Sequence, residues 1–252
     1  MKNLDNVKYF VFSGGKTGTR TLVESISKKF GNYSVAHIHS AQHFKNGHPR
    51  YGDVKNLMIS NSKKFNKIYI IDSYREPFER GISSFFQNIE THCPNWRYLS
   101  IEELIDFFNK NKLYLLDIYH SYYESWGYFN ISTDVVFDFD KGYILREYEN
   151  MVFVKTRLKD AYRWSLIFSE IFGESLSFVT ANKAEDKFYF NTYKEFLKKY
   201  KLPEQTKNEF LDTFNSSENI LDVSKPFHLS IIEMRKFMKD SEINDYFEKW
   251  FN

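Results

Sequence analysis

Two short apolar segments, each followed by a loop and a helical pattern, constrain the fold of this chain most strongly. The first segment spans residues 9–12 and leads through a glycine-rich loop to a helical pattern that starts at Thr19. The second spans residues 68–71 and leads to a helical pattern that starts at Pro77. Strands that alternate with helices in this way are typical of a parallel sheet covered by helices. The sequence therefore predicts an α/β fold.

Further apolar runs and helical patterns extend this prediction along the chain. We expect strands at 8–12, 34–39, 67–72 and 151–155, and helices at 19–30, 77–89 and 159–172. Ser100 and Glu103 have capping-box spacing and predict a further helix that ends near residue 109. Residues 133–146 read as an extended excursion, a candidate small hairpin with its turn at Lys141 and Gly142. We predict one domain over 1–252, with a core over about 1–180 and a helical appendage over about 181–252.

Charge and cysteine content restrict the classes of partner and the compartment. Lys and Arg number 35 against 33 Asp and Glu, a net charge of +2, which gives no general attraction to nucleic acid. Cys93 is the only cysteine and cannot form an internal disulfide, which favours a reducing compartment. No run resembles a signal peptide or a membrane span. We therefore expect a cytoplasmic protein with no nucleic-acid partner and no stable membrane insertion.

The first loop, residues 13–18, has the composition of an anion-binding loop. Its glycines at 14, 15 and 18 allow a tight backbone path, and Lys16 supplies a positive charge. Thr19 and Thr21 offer hydroxyl groups at the start of the next helix, where anions are bound well. The spacing does not match a Walker A loop, because Phe10 stands where the leading glycine would be. The alternative is a glycine-rich turn with a solvated Lys16.

The second motif begins at Arg75, directly after the predicted strand 67–72. Ligands of open α/β sheets bind at this carboxyl edge, and a guanidinium with the Ser83 hydroxyl would suit a phosphate monoester. The alternative is a set of surface ion pairs, Arg75 with Glu79 and Arg80 with Glu76. Two such motifs on successive strands favour a ligand that carries phosphate at two positions.

Two histidines lie at the end of the predicted strand 34–39. His37 and His39 are two residues apart, so they point to the same face, and His39 stands beside the first loop. A neutral histidine can accept a proton near neutral pH, which makes His39 a candidate general base. One alternative is an ordinary hydrogen-bonded histidine. Another is a metal site with His43 and His48, but no cysteine is near and no standard zinc spacing is present, so we predict no metal.

These motifs resemble the sulfotransferases that use 3′-phosphoadenosine 5′-phosphosulfate (PAPS). The run Lys16-Thr17-Gly18-Thr19-x-Thr21 is similar to their 5′-phosphosulfate loop, and Arg75-x-Pro77-x-x-Arg80-x-x-Ser83 is similar to their 3′-phosphate motif. The central region resembles bacterial sulfotransferase-like proteins of capsular polysaccharide synthesis, through Trp126, residues 134–143, residues 151–155 and residues 182–189. The pair His37 and His39 is similar to the His-x-His segment of heparan-type sulfotransferases, whose second histidine is the base.

The resemblance implies a P-loop-like three-layer fold with a central parallel sheet, a role for each motif and a carbohydrate acceptor. Lys16 and His39 would be catalytic with His37 as a helper, and PAPS would be the co-substrate, with no metal required. The implied cofactor-binding residues are Gly15, Lys16, Thr17, Gly18, Thr19, Arg20, Thr21, Arg75 and Ser83. The product would be a sulfated hydroxyl of a polysaccharide or glycan.

Two other functions stay open at this point. A P-loop-like kinase would use Asp72, at the end of an apolar strand, as a magnesium ligand. A non-catalytic glycan-assembly protein would keep the fold without turnover. Lys155 and Arg157 follow the fourth main strand and could line the cofactor or an acidic acceptor, or be solvated charges at the rim.

Overall fold

A mostly parallel sheet organises the chain. The computed structural model describes residues 4–39, 43, 46–115, 126–179, 181, 184–216 and 227–251. Within these residues five strands form one sheet: β1 Tyr9–Phe12, β2 Val35–Ile38, β3 Ile68–Tyr74, β4 Tyr143–Tyr148 and β5 Met151–Arg157. Their order is β2-β1-β3-β5-β4, and all neighbours are parallel except β4 and β5. The α/β class and the four strands predicted from the sequence are confirmed.

Helices connect and follow the strands. They are α1 Thr19–Phe30, α2 Val54–Ser62, α3 Pro77–Gln87, α4 Ile89–His92, α5 Ile101–Lys110, α6 Trp164–Phe172, α7 Phe190–Lys199, α8 Glu204–Ser216, α9 His228–Phe237 and α10 Asp240–Phe251. Short 3-10 helices span Leu4–Asn6, Trp96–Tyr98, Leu113–Leu115, Leu158–Arg163 and Ala184–Asp186. Across the described ranges, no helix is both long enough and apolar enough to cross a membrane.

Local sequence signals account for the helix boundaries. Helix α1 follows Gly18, which has a left-handed φ of 85°, and buries Leu22 and Ile26 one turn apart. Helix α5 begins after Ser100, whose hydroxyl accepts from the Glu103 N–H while the Glu103 carboxylate accepts from the Ser100 N–H. The predicted bounds of α1 and the predicted capping box are both confirmed.

A hydrophobic cluster on one face of the sheet joins the strands to α1 and α6. Val11, Ile71 and Val154 lie on this face of three neighbouring strands, and each is fully buried. Trp164 and Phe168 of α6 close the cluster from outside the sheet. The carboxyl ends of the strands are thereby held in fixed relative positions, because closely packed side chains leave little freedom for one strand to shift against the next.

Strand β4 extends beyond the hairpin that the sequence predicts over 133–146. Asp138 and Tyr143 form an isolated antiparallel bridge, and the Gly142 N–H donates to the Asp138 carbonyl at 2.7 Å, so the predicted turn is present. The strand then continues to Tyr148 and pairs antiparallel with β5. Its last residues are exposed and include charged side chains, as is common at a sheet edge. They therefore lack the alternation of apolar and polar residues from which a strand is predicted.

The chain divides into two compact units. One comprises residues 1–75 and 119–182, and it contains the whole sheet. The other comprises residues 76–118 and 183–252, and its described residues contain helices but no strand. In this second unit, the ring of Phe78 stacks on that of Tyr246 with centroids 5.6 Å apart. The expected boundary between a core and a C-terminal appendage near residue 180 stays a prediction.

Candidate functional site

Strand register brings the first loop beside both candidate motifs. Val11 of β1 pairs with His37 of β2 on one side and with Ile71 of β3 on the other. Ser13 continues this register: its N–H donates to the Ile38 carbonyl at 3.2 Å, and its hydroxyl accepts from the Ser73 N–H at 3.3 Å. Since β2 and β3 flank β1, the loop leaves the sheet at the point where the chain switches sides, which is where α/β sheets bind ligands.

Two left-handed residues shape the first loop. Lys16 has a φ of 67° and Gly18 has a φ of 85°. A Cβ at position 18 would come within 2.7 Å of the Trp164 ring, so only glycine fits there without displacement. Inside the loop, the buried Thr17 hydroxyl donates to the Gly14 carbonyl at 2.8 Å and lies 2.7 Å from the Ser13 hydroxyl. The Thr17 side chain therefore stabilises the loop from within.

A hydrogen bond connects the first loop to the second motif. The Arg75 guanidinium donates through Nη1 to the Lys16 carbonyl at 3.0 Å. The neighbouring Glu76 carboxylate accepts from the Glu79 N–H and caps α3. Arg80 is only 7% exposed and is therefore not a surface charge, while the alternative that pairs Arg75 with Glu79 and Arg80 with Glu76 stays a prediction. Lys16 and Arg75, predicted from motifs almost sixty residues apart, thus lie side by side.

The other predicted cofactor-binding residues differ in their surroundings. Thr19 is buried and Arg20 is exposed at the start of α1. The Thr21 hydroxyl accepts from the Ala181 N–H at 3.3 Å and lies 3.4 Å from the Ala181 carbonyl oxygen. These contacts hold Ala181 against α1. Ser83 is half-buried on α3, in the second unit, and its part in a 3′-phosphate site stays a prediction.

His39 stands at the end of β2 in a defined tautomer. Its Nδ1 lies 3.2 Å from the Ser13 carbonyl oxygen. Because a carbonyl can only accept, a neutral His39 ring carries its proton on Nδ1 and has its lone pair on Nε2. The residue is exposed. Its role as a general base stays a prediction.

His37 packs against His39 as the two-residue spacing predicted. The ring centroids are 4.1 Å apart in an edge-to-face arrangement. Burial, with the nearby His39, Arg20, His48 and Arg50 acting in the same direction, lowers the pKa of His37 to about 4. The His37 ring is consequently neutral at physiological pH and adds no charge beside the base.

Two further histidines form a second ring pair. His43 and His48 have centroids 4.4 Å apart, and His48 lies in a tight turn in which its N–H donates to the Gly52 carbonyl at 2.6 Å. The Arg50 N–H donates to His48 Nδ1 at 3.0 Å. Burial, then the neighbouring His43, Arg50 and His39, lower the pKa of His48. No group of three or more His, Cys, Asp or Glu side chains in the described part of the chain is arranged to hold a metal ion.

Lys155 and Arg157 belong to buried ion pairs rather than to a solvated rim. Lys155 Nζ lies 2.6 Å from the Asp72 carboxylate, and both side chains are almost completely buried. Arg157 makes two hydrogen bonds to Asp160, at 2.6 and 3.0 Å. The interpretation of these residues as rim charges is wrong. Asp72, which is 1% exposed and paired with Lys155, also lacks the open carboxylate expected of a magnesium ligand.

Sequence reasoning missed three residues that shape this site. Ser13 holds His39 through its carbonyl and Ser73 through its hydroxyl, and Arg50 approaches the histidine pair from the turn at 48–52. The serines could have been found by aligning the two strand ends, since both follow their apolar segments at the same register. Arg50 was given no role of its own from the sequence, and it is tertiary folding that brings it near His37.

Comparison of the chain with protein-family models, with curated proteins and with solved structures gave no match. The function must therefore be inferred from the motifs and from the arrangement of the residues around the first loop.

Proposed function

We propose that the chain is a sulfotransferase that transfers a sulfuryl group from PAPS to a carbohydrate hydroxyl. The observation that carries this proposal is the hydrogen bond from Arg75 to the Lys16 carbonyl, which joins the two motifs that would bind the two ends of one nucleotide. The mostly parallel sheet, with helices following its strands, is compatible with the P-loop-like three-layer arrangement that the resemblance implies.

The first loop suits a phosphate group through its backbone. Left-handed residues at positions 16 and 18 turn successive peptide groups at the start of α1, where N–H groups lack partners within the helix. Lys16 would place its ammonium group against the 5′-phosphosulfate, together with the N–H groups of Gly18 and Thr19. Arg75 would bind the 3′-phosphate.

The residues at the ends of β1 and β2 suit proton transfer. When bound, the nucleotide supplies an activated sulfuryl group on its 5′-phosphate. His39 Nε2 would accept the proton of the acceptor hydroxyl as the hydroxyl oxygen bonds to sulfur and the bond from sulfur to the phosphate oxygen breaks. Lys16 would stabilise the negative charge that develops on this phosphate. Ser13 would keep the His39 ring in the reactive tautomer throughout.

Nucleotide binding in the presence of EDTA tests the cofactor. We expect 3′-phosphoadenosine 5′-phosphate (PAP) to bind more tightly than AMP, from which it differs only by the 3′-phosphate. Arg75→Gln should weaken PAP binding about 10- to 100-fold, the value of a charge-assisted hydrogen bond, and affect AMP much less. Arg146→Gln, at an exposed position on β4, is the matched control and should leave both affinities unchanged.

Transfer from labelled PAPS to a panel of glycans then tests the reaction. Equal affinities for PAP and AMP, or binding of ATP only with magnesium, would contradict the proposed cofactor and favour the kinase. PAP binding without transfer to any glycan in the panel would favour a non-catalytic assembly protein.

A further inference from the structure

A row of buried hydroxyl groups crosses three neighbouring strands at the carboxyl edge of the sheet. Ser73 of β3 is in register with Thr156 of β5, and Ser13, directly after β1, is hydrogen-bonded to Ser73. All three residues are at most 2% exposed. Each follows by two positions a residue of the hydrophobic cluster that packs against α1 and α6, so the hydroxyls face the same two helices. The row therefore lies beneath the first loop, which begins at Ser13.

Ser73 differs from the other two members of this row. Its hydroxyl is buried and has no hydrogen-bond partner among the described residues. The Ser13 hydroxyl, in contrast, accepts from the Ser73 N–H at 3.3 Å and lies 2.7 Å from the Thr17 hydroxyl. The Thr156 hydroxyl donates to the Asp72 carbonyl at 3.4 Å. Ser13 and Thr156 thus use their hydroxyls within the fold, and Ser73 does not.

An unpartnered hydroxyl in the interior is unfavourable for the empty protein. The group has lost its hydrogen bonds to water and has gained none in return. Buried polar groups in native structures nearly always have a partner, so each exception needs an explanation. A ligand atom that supplies the missing partner recovers the lost free energy when it binds. The Ser73 hydroxyl is therefore expected to favour ligand binding and to contribute nothing to folding.

The surroundings of Ser73 indicate that this ligand is an anion. The first loop above it contains two left-handed residues and leads into the start of α1, an arrangement that favours a phosphate group. A hydroxyl can donate to such a group. The Asp72 carboxylate, which would repel an anion, belongs to the opposite face of the strand and is paired with Lys155.

We propose that Ser73 is a further binding residue of the nucleotide site, with its hydroxyl donating to an oxygen of the 5′-phosphate that the first loop holds. This inference rests on the proposed sulfotransferase function and adds a residue that lies outside both sequence motifs. The 5′-phosphate is the group concerned because Ser73 is hydrogen-bonded to Ser13, the residue at which that loop begins. Ser73 and Arg75 would then bind different ends of one nucleotide.

Three adenine nucleotides distinguish the two phosphate subsites when their binding is measured by calorimetry in EDTA. PAP carries both phosphates, AMP carries only the 5′-phosphate, and adenosine 3′-monophosphate carries only the 3′-phosphate. We expect Ser73→Ala to weaken PAP and AMP by the same factor, about tenfold, the value of a hydrogen bond to a charged group. Its affinity for adenosine 3′-monophosphate should not change. Arg75→Gln should give the opposite pattern and weaken the two nucleotides that carry a 3′-phosphate.

The stability of the empty protein separates a ligand-binding hydroxyl from a structural one. Ser73→Ala removes an unpartnered group, so the midpoint of urea unfolding should stay the same or rise. Ser25→Ala is the matched control, because Ser25 is 1% exposed and its hydroxyl accepts from the Val179 N–H at 3.0 Å. We expect this control to lower the midpoint and to leave all three affinities unchanged. Ser73→Cys keeps a similar volume but offers only a weak donor, so its affinities should resemble those of Ser73→Ala.

The outcomes separate this inference from the proposed function. If the native protein binds PAP, and Ser73→Ala binds PAP and AMP as tightly, the inference is wrong and the proposed function stands. Equal weakening of all three nucleotides, or a loss of stability as large as that of Ser25→Ala, would also overturn it, because Ser73 would then support the structure. Failure of the native protein to bind PAP would instead contradict the proposed function.

Discussion

Two groups of basic side chains at the carboxyl edge of the same sheet have opposite surroundings. Near the end of β5, Lys155 and Arg157 are buried and each is paired with a carboxylate, Asp72 or Asp160. Near the ends of β1 and β2, Arg20 and Arg50 are exposed and have no carboxylate partner among the described residues.

The difference separates charges that belong to the fold from charges that no described carboxylate neutralises. A buried ion is stable only when its partner and its hydrogen bonds are already in place, so Lys155 and Arg157 belong to the architecture. An exposed cation without a partner adds little to stability and gains interaction energy when an anion arrives. Both groups consist of cationic side chains, and they differ in burial and in whether a carboxylate partner is present.

The largest expected effect is on turnover, at His39, which lies near the unpaired cations Arg20 and Arg50. His39→Ala removes the imidazole that the Ser13 carbonyl holds in position, and we expect kcat to fall by about 10²- to 10⁴-fold, the usual contribution of a general base. PAP affinity should stay within about twofold, because the loop that binds the phosphate is unchanged. His92→Ala, in α4 of the second unit, is the matched histidine control.

Sulfation rates with PAPS, together with equilibrium PAP binding, check this prediction. A His39→Ala protein that retains near-normal turnover would show that His39 is not the base. The difference between the paired and the unpaired cations would then have no bearing on catalysis.

The second effect is on stability at the paired group. Lys155→Met leaves the Asp72 carboxylate buried without the ammonium 2.6 Å away, and we expect the free energy of unfolding to fall by about 3–5 kcal/mol. Arg50→Met, at the unpaired group, should change it by no more than about 0.5 kcal/mol. Urea denaturation followed by circular dichroism measures both.

A double variant sharpens this second test. Lys155→Met combined with Asp72→Asn removes both charges, and most of the lost stability should return. If Lys155→Met and Arg50→Met destabilise the protein equally, burial and pairing do not separate the two groups, and the comparison fails.

The smallest effect is a pH dependence of stability at His37. Its pKa is about 4 in the folded protein and near 6.5 when unfolded, so the unfolded state binds more protons between these values. The contribution of neutral His37 to the free energy of unfolding is therefore fully present above about pH 6.5. It decreases as the pH is lowered and levels off near pH 4. We expect the loss between pH 7 and pH 4.5 to be about 1–2 kcal/mol smaller in His37→Gln, allowing for partial exposure.

Urea unfolding of both proteins at several pH values gives this difference directly. Groups that titrate in both proteins contribute equally and cancel when the two pH profiles are subtracted. Parallel pH profiles for the native protein and for His37→Gln would show that burial and the neighbouring basic side chains do not lower the pKa of His37.

Much of the site geometry could be predicted because it follows from local patterns. The bounds of α1, the capping box at Ser100 and the four parallel strands were predicted from hydrophobic periodicity and capping residues, which act over a few positions. The common face of His37 and His39 follows from the two-residue repeat of a strand. In contrast, β4 was not predicted in full, since its exposed charged residues hide the alternation that marks a strand.

The sequence by itself determined the α/β class, the glycine-rich loop before α1 and the positions of Lys16, His39 and Arg75 at strand ends, because these features depend on neighbouring residues. Only the tertiary structure decided which cations are neutralised. Asp72 lies 83 residues before Lys155, and Arg50 lies 13 residues after His37. Hydrophobic periodicity does not predict contacts between residues that far apart in the sequence. Partner choice depends on which side chains the folded sheet brings within a few ångströms of each other, since ion pairing and desolvation act only at that range.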